Sequence, residues 1–189
     1  MPSIITHSIV GVAAGKTFTD GKMSRLFWDL TIVCALIPDI DVFSFRLGIP
    51  YDHLIGHRGL THSLFFALLV GLFIVFVFYR QEKKFSKPWL FHLFYFFFVT
   101  AVNGALDALT NGGLGVAFFA PFSNGRYFFP WTPIMVSPIG AKPFFSEWGL
   151  MVLKSEILWI WLPAILIVLS SKIIRRHFIQ KTSQDCSDY

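Results

Sequence analysis

Two apolar runs dominate the hydropathy pattern. Residues 60–79 carry no charged side chain for 20 positions, and residues 89–109 repeat the pattern until Asn103 and Asp107 interrupt it. Each is long enough to cross a hydrocarbon layer as a helix. A third run, about 149–171, carries Pro163, which neighbouring helices can accommodate. Two shorter apolar stretches come first. Ser3 can cap a helix over about 4–17, rich in the small residues Gly11, Ala13, Ala14 and Gly15, which allow close helix approach. A second helix is expected over about 26–37, closed by Pro38. Both are short of a full span. Between them and after them lie polar turns. Residues 110–148 form a long connection rich in Gly, Pro and aromatics, read as a lid or interfacial segment with Phe and Trp at headgroup depth.

Composition turns this pattern into a membrane reading. The chain is 54% hydrophobic and 14% charged, with 23 phenylalanines, against about 25% charged residues in a soluble domain. A core of 189 residues cannot hide that much apolar surface. The expectation is an all-α, multi-pass helical membrane protein of about five helices. A single domain covers 1–175, and 176–189 form a polar, disordered cytoplasmic tail. Cys34 sits in an apolar run and Cys186 in the tail, so no disulfide framework is implied.

Charge orients the helices. If five helices alternate, the turns at 16–25 and 80–87 and the segment after 171 share one side. They hold Lys16, Lys22, Arg25, Arg80, Lys83, Lys84, Lys87, Lys172, Arg175, Arg176 and Lys181, which is 11 of the 16 basic residues. The positive-inside rule assigns that side to the cytoplasm. The net charge of +5 is too dispersed for a nucleic-acid footprint, so no nucleic-acid partner is expected.

With that orientation the unusual polar residues fall at one level on the outward side. His7 begins helix 1, Asp39 and Asp41 end helix 2, and His57 and His62 open the third helix. Asn103 and Asp107 end the fourth, and Glu156 lies in the outer half of the fifth. Ionisable groups at such depth are functional candidates. Histidines and carboxylates without cysteine suit zinc, manganese or another first-row divalent ion, which would make water acidic enough to attack at neutral pH. Either Asp39 or Asp41 could serve as general base. Arg58 and Arg126 match phosphate geometry and could neutralise developing charge. His53 is a loop residue that could touch substrate. His92 and His177 are given no role.

The elements Thr6-His7, Leu36-Ile37-Pro38-Asp39-Ile40-Asp41, Gly56-His57-Arg58-Gly59-Leu60-Thr61-His62-Ser63 and Leu106-Asp107-Ala108-Leu109-Thr110 resemble the bacterial inner-membrane metal-dependent hydrolase family (YdjM-like). Pro121-Phe122-Ser123 and Arg126 extend the resemblance to nearly the whole chain. That family looks distantly similar to zinc-dependent phospholipases C and single-strand nucleases. The resemblance implies a phosphoester substrate, lipid-like in this setting, and a bacterial inner-membrane location. It also implies His7, Asp39 or Asp41, His57, His62 and Asp107 as ligands of a divalent metal, zinc or else manganese. One position departs: the family usually has a His where this chain has Asn103, whose carbonyl is a weaker zinc ligand. The rival expectations are an ion-binding or transport protein and a catalytically weakened relative. A polar path through 66–78 would mark a transporter, and the sequence there has none.

Overall fold

A computed structural model describes residues 1–20, 22–138 and 140–185, without the side chains of 141–142 and 178–185. Helix α1 spans Ile4–Phe18, α2 Arg25–Leu36, and the short α3 Phe43–Arg46. Helix α4 spans Leu64–Phe78 and α5 Lys87–Ala108. After the short α6 (Ala141–Phe144), α7 (Glu147–Glu156) runs through a π-turn at Ile157–Trp161 into α8 (Leu162–Asp185). Among the described residues there is no strand, only two isolated bridges, Thr110 with Ile134 and Val116 with Tyr127. The expected all-helical class holds.

The start of each helix is local chemistry. The hydroxyls of Ser3, Ser24 and Ser63 accept from the backbone N–H groups of Thr6, Phe27 and Phe66, satisfying donors that an open helix end leaves unpaired. Ser63 therefore corrects one boundary. The expected helix from Leu60 begins at Leu64, and Leu60–His62 form a separate 3-10 turn. At 15 residues, α4 is about 22 Å long, short of a full span. Pro38 does not end the second helix abruptly; it sits inside a 3-10 turn over Ile37–Val42 that carries Asp39 and Asp41.

The π-turn precedes Pro163. Proline has no N–H and its ring crowds the carbonyl four residues back, here Trp159. The wider turn, with Leu162 N–H on the Ile157 carbonyl, relieves that crowding without breaking the helix. The last helix outruns its expected end near residue 171 and continues to Asp185, so most of the tail expected to be disordered is helical. Residues 186–189, including Cys186, lie outside the described residues.

Helix α5 is the central post. Its Tyr95, Phe96 and Val99 pack with Phe27 and Cys34 of α2 and Ile74 of α4. Helix α1 is inside-out by the standards of a soluble protein. It buries Thr6, His7, Gly11 and Gly15 and leaves Ile4 and Ile5 59% and 47% exposed. The α7–α8 helix is more extreme, with 6% of its most apolar 18-residue window buried, against 56% for α5. Among the described residues these are the two helices long and apolar enough to cross a membrane, and the exposure of one of them is what a lipid-facing surface requires.

The chain direction alternates through α1, α2, α4, α5 and α7–α8. Arg175 donates to the carbonyls of Thr17 and Thr19 and to Asp20 Oδ1 at the far end of α1. At the near end Glu156 accepts from Ser3 N, Ser3 Oγ and Thr6 Oγ1 at 2.5, 2.6 and 2.7 Å. The basic turns thus gather at one end of the bundle and the His/Asp residues at the other.

Candidate metal centre

Four elements bring four side chains to one point. His7 Nε2 lies 3.5 Å from Asp107 Oδ1 and 3.8 Å from Asp39 Oδ2. His62 Nε2 lies 3.4 Å from Asp39 Oδ1 and 3.5 Å from Asp107 Oδ2. All four are buried or nearly so, and His7 Nε2, His62 Nε2, Asp39 Oδ1 and both Asp107 oxygens make no hydrogen bond. Orphaned buried atoms of this kind each cost about 1–3 kcal/mol, so their convergence calls for a shared partner. The spacing identifies one. Ligands at ~2.0–2.2 Å around a tetrahedral ion stand ~3.3–3.6 Å apart; three of the four histidine–carboxylate pairs stand at 3.4–3.5 Å and the His7–Asp39 pair at 3.8 Å. Ligand atoms of His7, Asp39 and Asp107 all fall within 4.8 Å of one another. The donor set, two imidazoles and two carboxylates, fits zinc or manganese.

Around these four stands a layer of supports. Asp41 bridges both histidines of the 57–62 segment: Oδ1 meets His57 Nδ1 at 2.6 Å, and Oδ2 meets His62 Nδ1 at 2.9 Å. The same oxygen accepts from Thr61 Oγ1 at 2.6 Å and Arg58 N at 2.9 Å. A carboxylate on one imidazole nitrogen fixes the ring so that the other faces inward. Burial opposes ionisation of Asp41, but the bonds to His57 and His62 outweigh it and hold its carboxyl well below the usual range. Burial likewise disfavours a charged His62, yet Asp39 and Asp41 push it up to about 10.

Arg58 occupies left-handed backbone at φ 60°, which for a non-glycine costs about 1 kcal/mol or more. That twist aims its N–H at Asp41 while its side chain turns the other way. Its Nε is 2.8 Å from Asp107 Oδ2, though not aligned as a hydrogen bond, and its terminal nitrogens donate to Gly112 O and Thr110 Oγ1 at 2.8 and 3.0 Å. Asn103 Nδ2 donates to Ala35 O at 2.9 Å and Asp39 Oδ2 at 3.0 Å. Gly104 lets α5 lie against the histidine segment; a Cβ there would stand 2.8 Å from the His62 carbonyl. The 110–138 connection is pinned over all this by Ala117 N to Arg58 O, Leu64 N to Phe118 O and Ser137 N to Met1 O, each 3.0 Å.

Several expected roles change. Asp41 is not positioned as a ligand or a base, because both oxygens are committed to holding other groups. Arg58 does not face a substrate oxygen, since it is spent on Asp107 and the 110–112 turn. Arg126 donates to the carbonyls of His57, Tyr51 and His53, so it staples a loop. His53 is exposed on that loop and Glu156 anchors α1, so neither joins the four. His57 packs tilted against Phe45 and edge to face with Tyr51 and His62 and turns Nδ1 to Asp41, one step out from the cluster. Asn103 presents its amide nitrogen, not the carbonyl expected of a substitute ligand. Thr61 and Thr110 went unnoticed in the sequence, because a hydroxyl beside a carboxylate leaves no spacing signature.

The model of the YdjM inner membrane protein family matches residues 1–179. This chain belongs to that family. Among characterised sequences it is 35% identical over 169 residues to the inner membrane protein YbcI of Escherichia coli (strain K12), covering 89% of this chain and 95% of the relative. No solved structure matches it. The family name places the chain with inner membrane proteins, in keeping with its exposed apolar helices.

Proposed function

We propose that this chain is a multi-pass, membrane-bound metal-dependent hydrolase. Its substrate is a phosphoester of a lipid-like molecule in the bacterial inner membrane, with the site on the extracytoplasmic side. The observation that carries the reading is the convergence, near ligand spacing, of five polar atoms of His7, Asp39, His62 and Asp107 that make no hydrogen bond. His7, Asp107 and His62 would hold a divalent ion, zinc or manganese, which would supply Lewis-acid chemistry toward a phosphoryl oxygen and water.

The protein's own groups do the rest. Arg58 pairs with Asp107 in a dry site. Asp41 locks the His62 ring with Nε2 inward. Asp39 is the one carboxylate of the four with residual exposure, its side chain 7% accessible against none for Asp107, and Oδ1 is unpartnered. Catalysis needs Asp39 as the base and not as a fourth ligand, leaving His7, His62 and Asp107 to hold the ion with one position open. Its Oδ1 can then take the proton of an attacking water while Asn103 steadies the other oxygen. The 110–138 connection excludes bulk water, which strengthens each of these interactions.

Metal analysis of protein purified without added metal tests the reading. About one ion or more per chain is expected, lost in His7→Ala and Asp107→Asn. Hydrolysis of a phosphoester panel should follow zinc or manganese and stop with chelator. Folded protein that binds neither ion would sink the proposal. The position of Asn103 favours one second reading, a metal-binding relative of reduced turnover. If Asn103→His raises hydrolysis while the metal content is unchanged, the native chain is the weakened form.

A further inference from the structure

The four-residue cluster is sealed from the protein's exterior except past Asp39. His7, His62 and Asp107 have no side-chain exposure. Asp39 forms part of the wall of a cavity of about 430 Å³, together with Ile4, Ile5, Val42, Phe43 and Pro138 among others. That volume lies within the range of small-molecule sites, about 300–1,000 Å³. The wall is overwhelmingly apolar, with Asp39 its one ionisable side chain. Its rim is apolar too: Phe43 is 57% exposed and Phe145 85%. A site for a water-soluble phosphoester would line its entrance with donors and charges. This one is mostly hydrocarbon, with Met1, Ser3, Ser137 and Asp39 its polar contributors.

We infer that this cavity holds one apolar chain of the substrate, which enters sideways from the bilayer past Phe43 and Phe145 and brings its polar head to Asp39. The inference rests on the hydrolase reading only for the identity of the head. It makes the substrate a single-chain amphiphile, or a lipid of which one chain is drawn in. The walls at Ile5 and Val42 then decide which chains fit.

The test is photocrosslinking in lipid bilayers with alkyl phosphates, butyl through tetradecyl, that carry a diazirine at the chain terminus. Crosslinks should map to the cavity wall, rise with chain length, and fall at least tenfold in Ile5→Trp, whose new ring fills the cavity from an exposed position. Val42→Trp fills it from the inner wall and should act alike. Val12→Trp, in a separate groove between α1 and α8, should leave the crosslinks unchanged. Crosslinks confined to lipid-facing α8, or indifferent to both cavity variants, would overturn the inference. The hydrolase reading fails separately. Cavity crosslinks sensitive to Ile5→Trp, with no phosphoester cleaved, keep the chain pocket and discard the hydrolase. Equal cleavage of butyl and tetradecyl esters, unaffected by Ile5→Trp, keeps the hydrolase and discards the pocket.

Discussion

Asp41 shows how one side chain can govern a centre without belonging to it. Its oxygens hold two imidazoles, a hydroxyl and a backbone N–H. Asp41→Asn keeps the shape but loses the charge. It should weaken metal affinity about 10–100-fold, the usual cost of losing a support behind a ligand, read by competition with a chelating dye. The pH dependence of the metal-free protein is a sharper readout. His62 has a raised pKa when folded, so its contribution is fully present below its ordinary value near 6.5 and is lost as pH rises through about 10. Asp41 has a lowered pKa, so its contribution is present above its ordinary value near 3.8 and is lost as pH falls through the depressed one. Between those limits the pair is intact. Asp41→Asn should lower the melting temperature throughout that window, by the equivalent of about 3–5 kcal/mol for a broken buried pair, and should lose the alkaline limb. An unchanged alkaline limb in the variant would show that His62 does not depend on Asp41. The residue types at this centre were legible from spacing; their division into inner and outer layers was not. Asp39 and Asp41 are two positions apart and chemically identical, and only the 3-10 turn decides which one faces His7 and which one faces His57.

At the scale of elements, the site depends on how closely helices approach. Apolar runs and serine caps made the long helices readable, because both signals are local. The contacts between them were less so. Gly104 looks like any small residue in an apolar helix, yet it is where α5 touches the His62 carbonyl. Gly104→Ala must push either α5 or the histidine turn by a few tenths of an ångström, since a Cβ would meet the His62 oxygen at 2.8 Å. The expected cost is about 1–3 kcal/mol for overpacking, with loss of bound metal out of proportion to the loss of stability. Normal metal content in Gly104→Ala would mean the turn can yield without moving the His62 ring. Glu156 makes the same point from the other side. It was read as a residue that touches substrate or supports the ligands because an acid in an apolar helix is unusual, and its bonds to Ser3 and Thr6 fit the supporting role. Its carboxylate holds the first turn of α1, and through it His7. Glu156→Gln keeps one acceptor oxygen and puts an NH2 donor in place of the other, so with the oxygen on Ser3 N–H the two hydroxyls must turn to accept, and it should cost less than alanine. Glu156→Ala leaves Ser3 N, Ser3 Oγ and Thr6 Oγ1 short of a partner. It should cost about 2–4 kcal/mol at about 1–3 per group, with water meeting part of the loss. Metal release parallel to unfolding, followed by melting with and without added zinc, would check it.

Over the whole molecule, two distributions coincide. The 11 basic residues that share one side by helix alternation lie at the end of the bundle where Arg175 closes α1, and the metal-type cluster lies at the other. Lys and Arg set orientation in a membrane because they are retained on the cytoplasmic side. The His/Asp residues were placed by folding, which has no knowledge of that rule. Their segregation supports a bundle inserted once, in one orientation, with the cluster outward. Helix lengths add a constraint. Helix α2, at 12 residues, spans about 18 Å, so with α4 it leaves the bilayer either thinned or entered by the surrounding aromatic loops. Trp131 and Trp159 pack edge to face at 4.8 Å near that end, as headgroup-level aromatics would. The orientation can be read directly. With Cys34 and Cys186 replaced by Ser, a single cysteine at Asn124, on the cluster-side connection, should react with a membrane-impermeant maleimide in intact cells. One at Lys83, in the basic turn between α4 and α5, should react only after permeabilisation. The reverse pattern would put the cluster in the cytoplasm and its substrate with it, while equal labelling of both in intact cells would mean that α4 and α5 do not form a membrane-crossing pair at all.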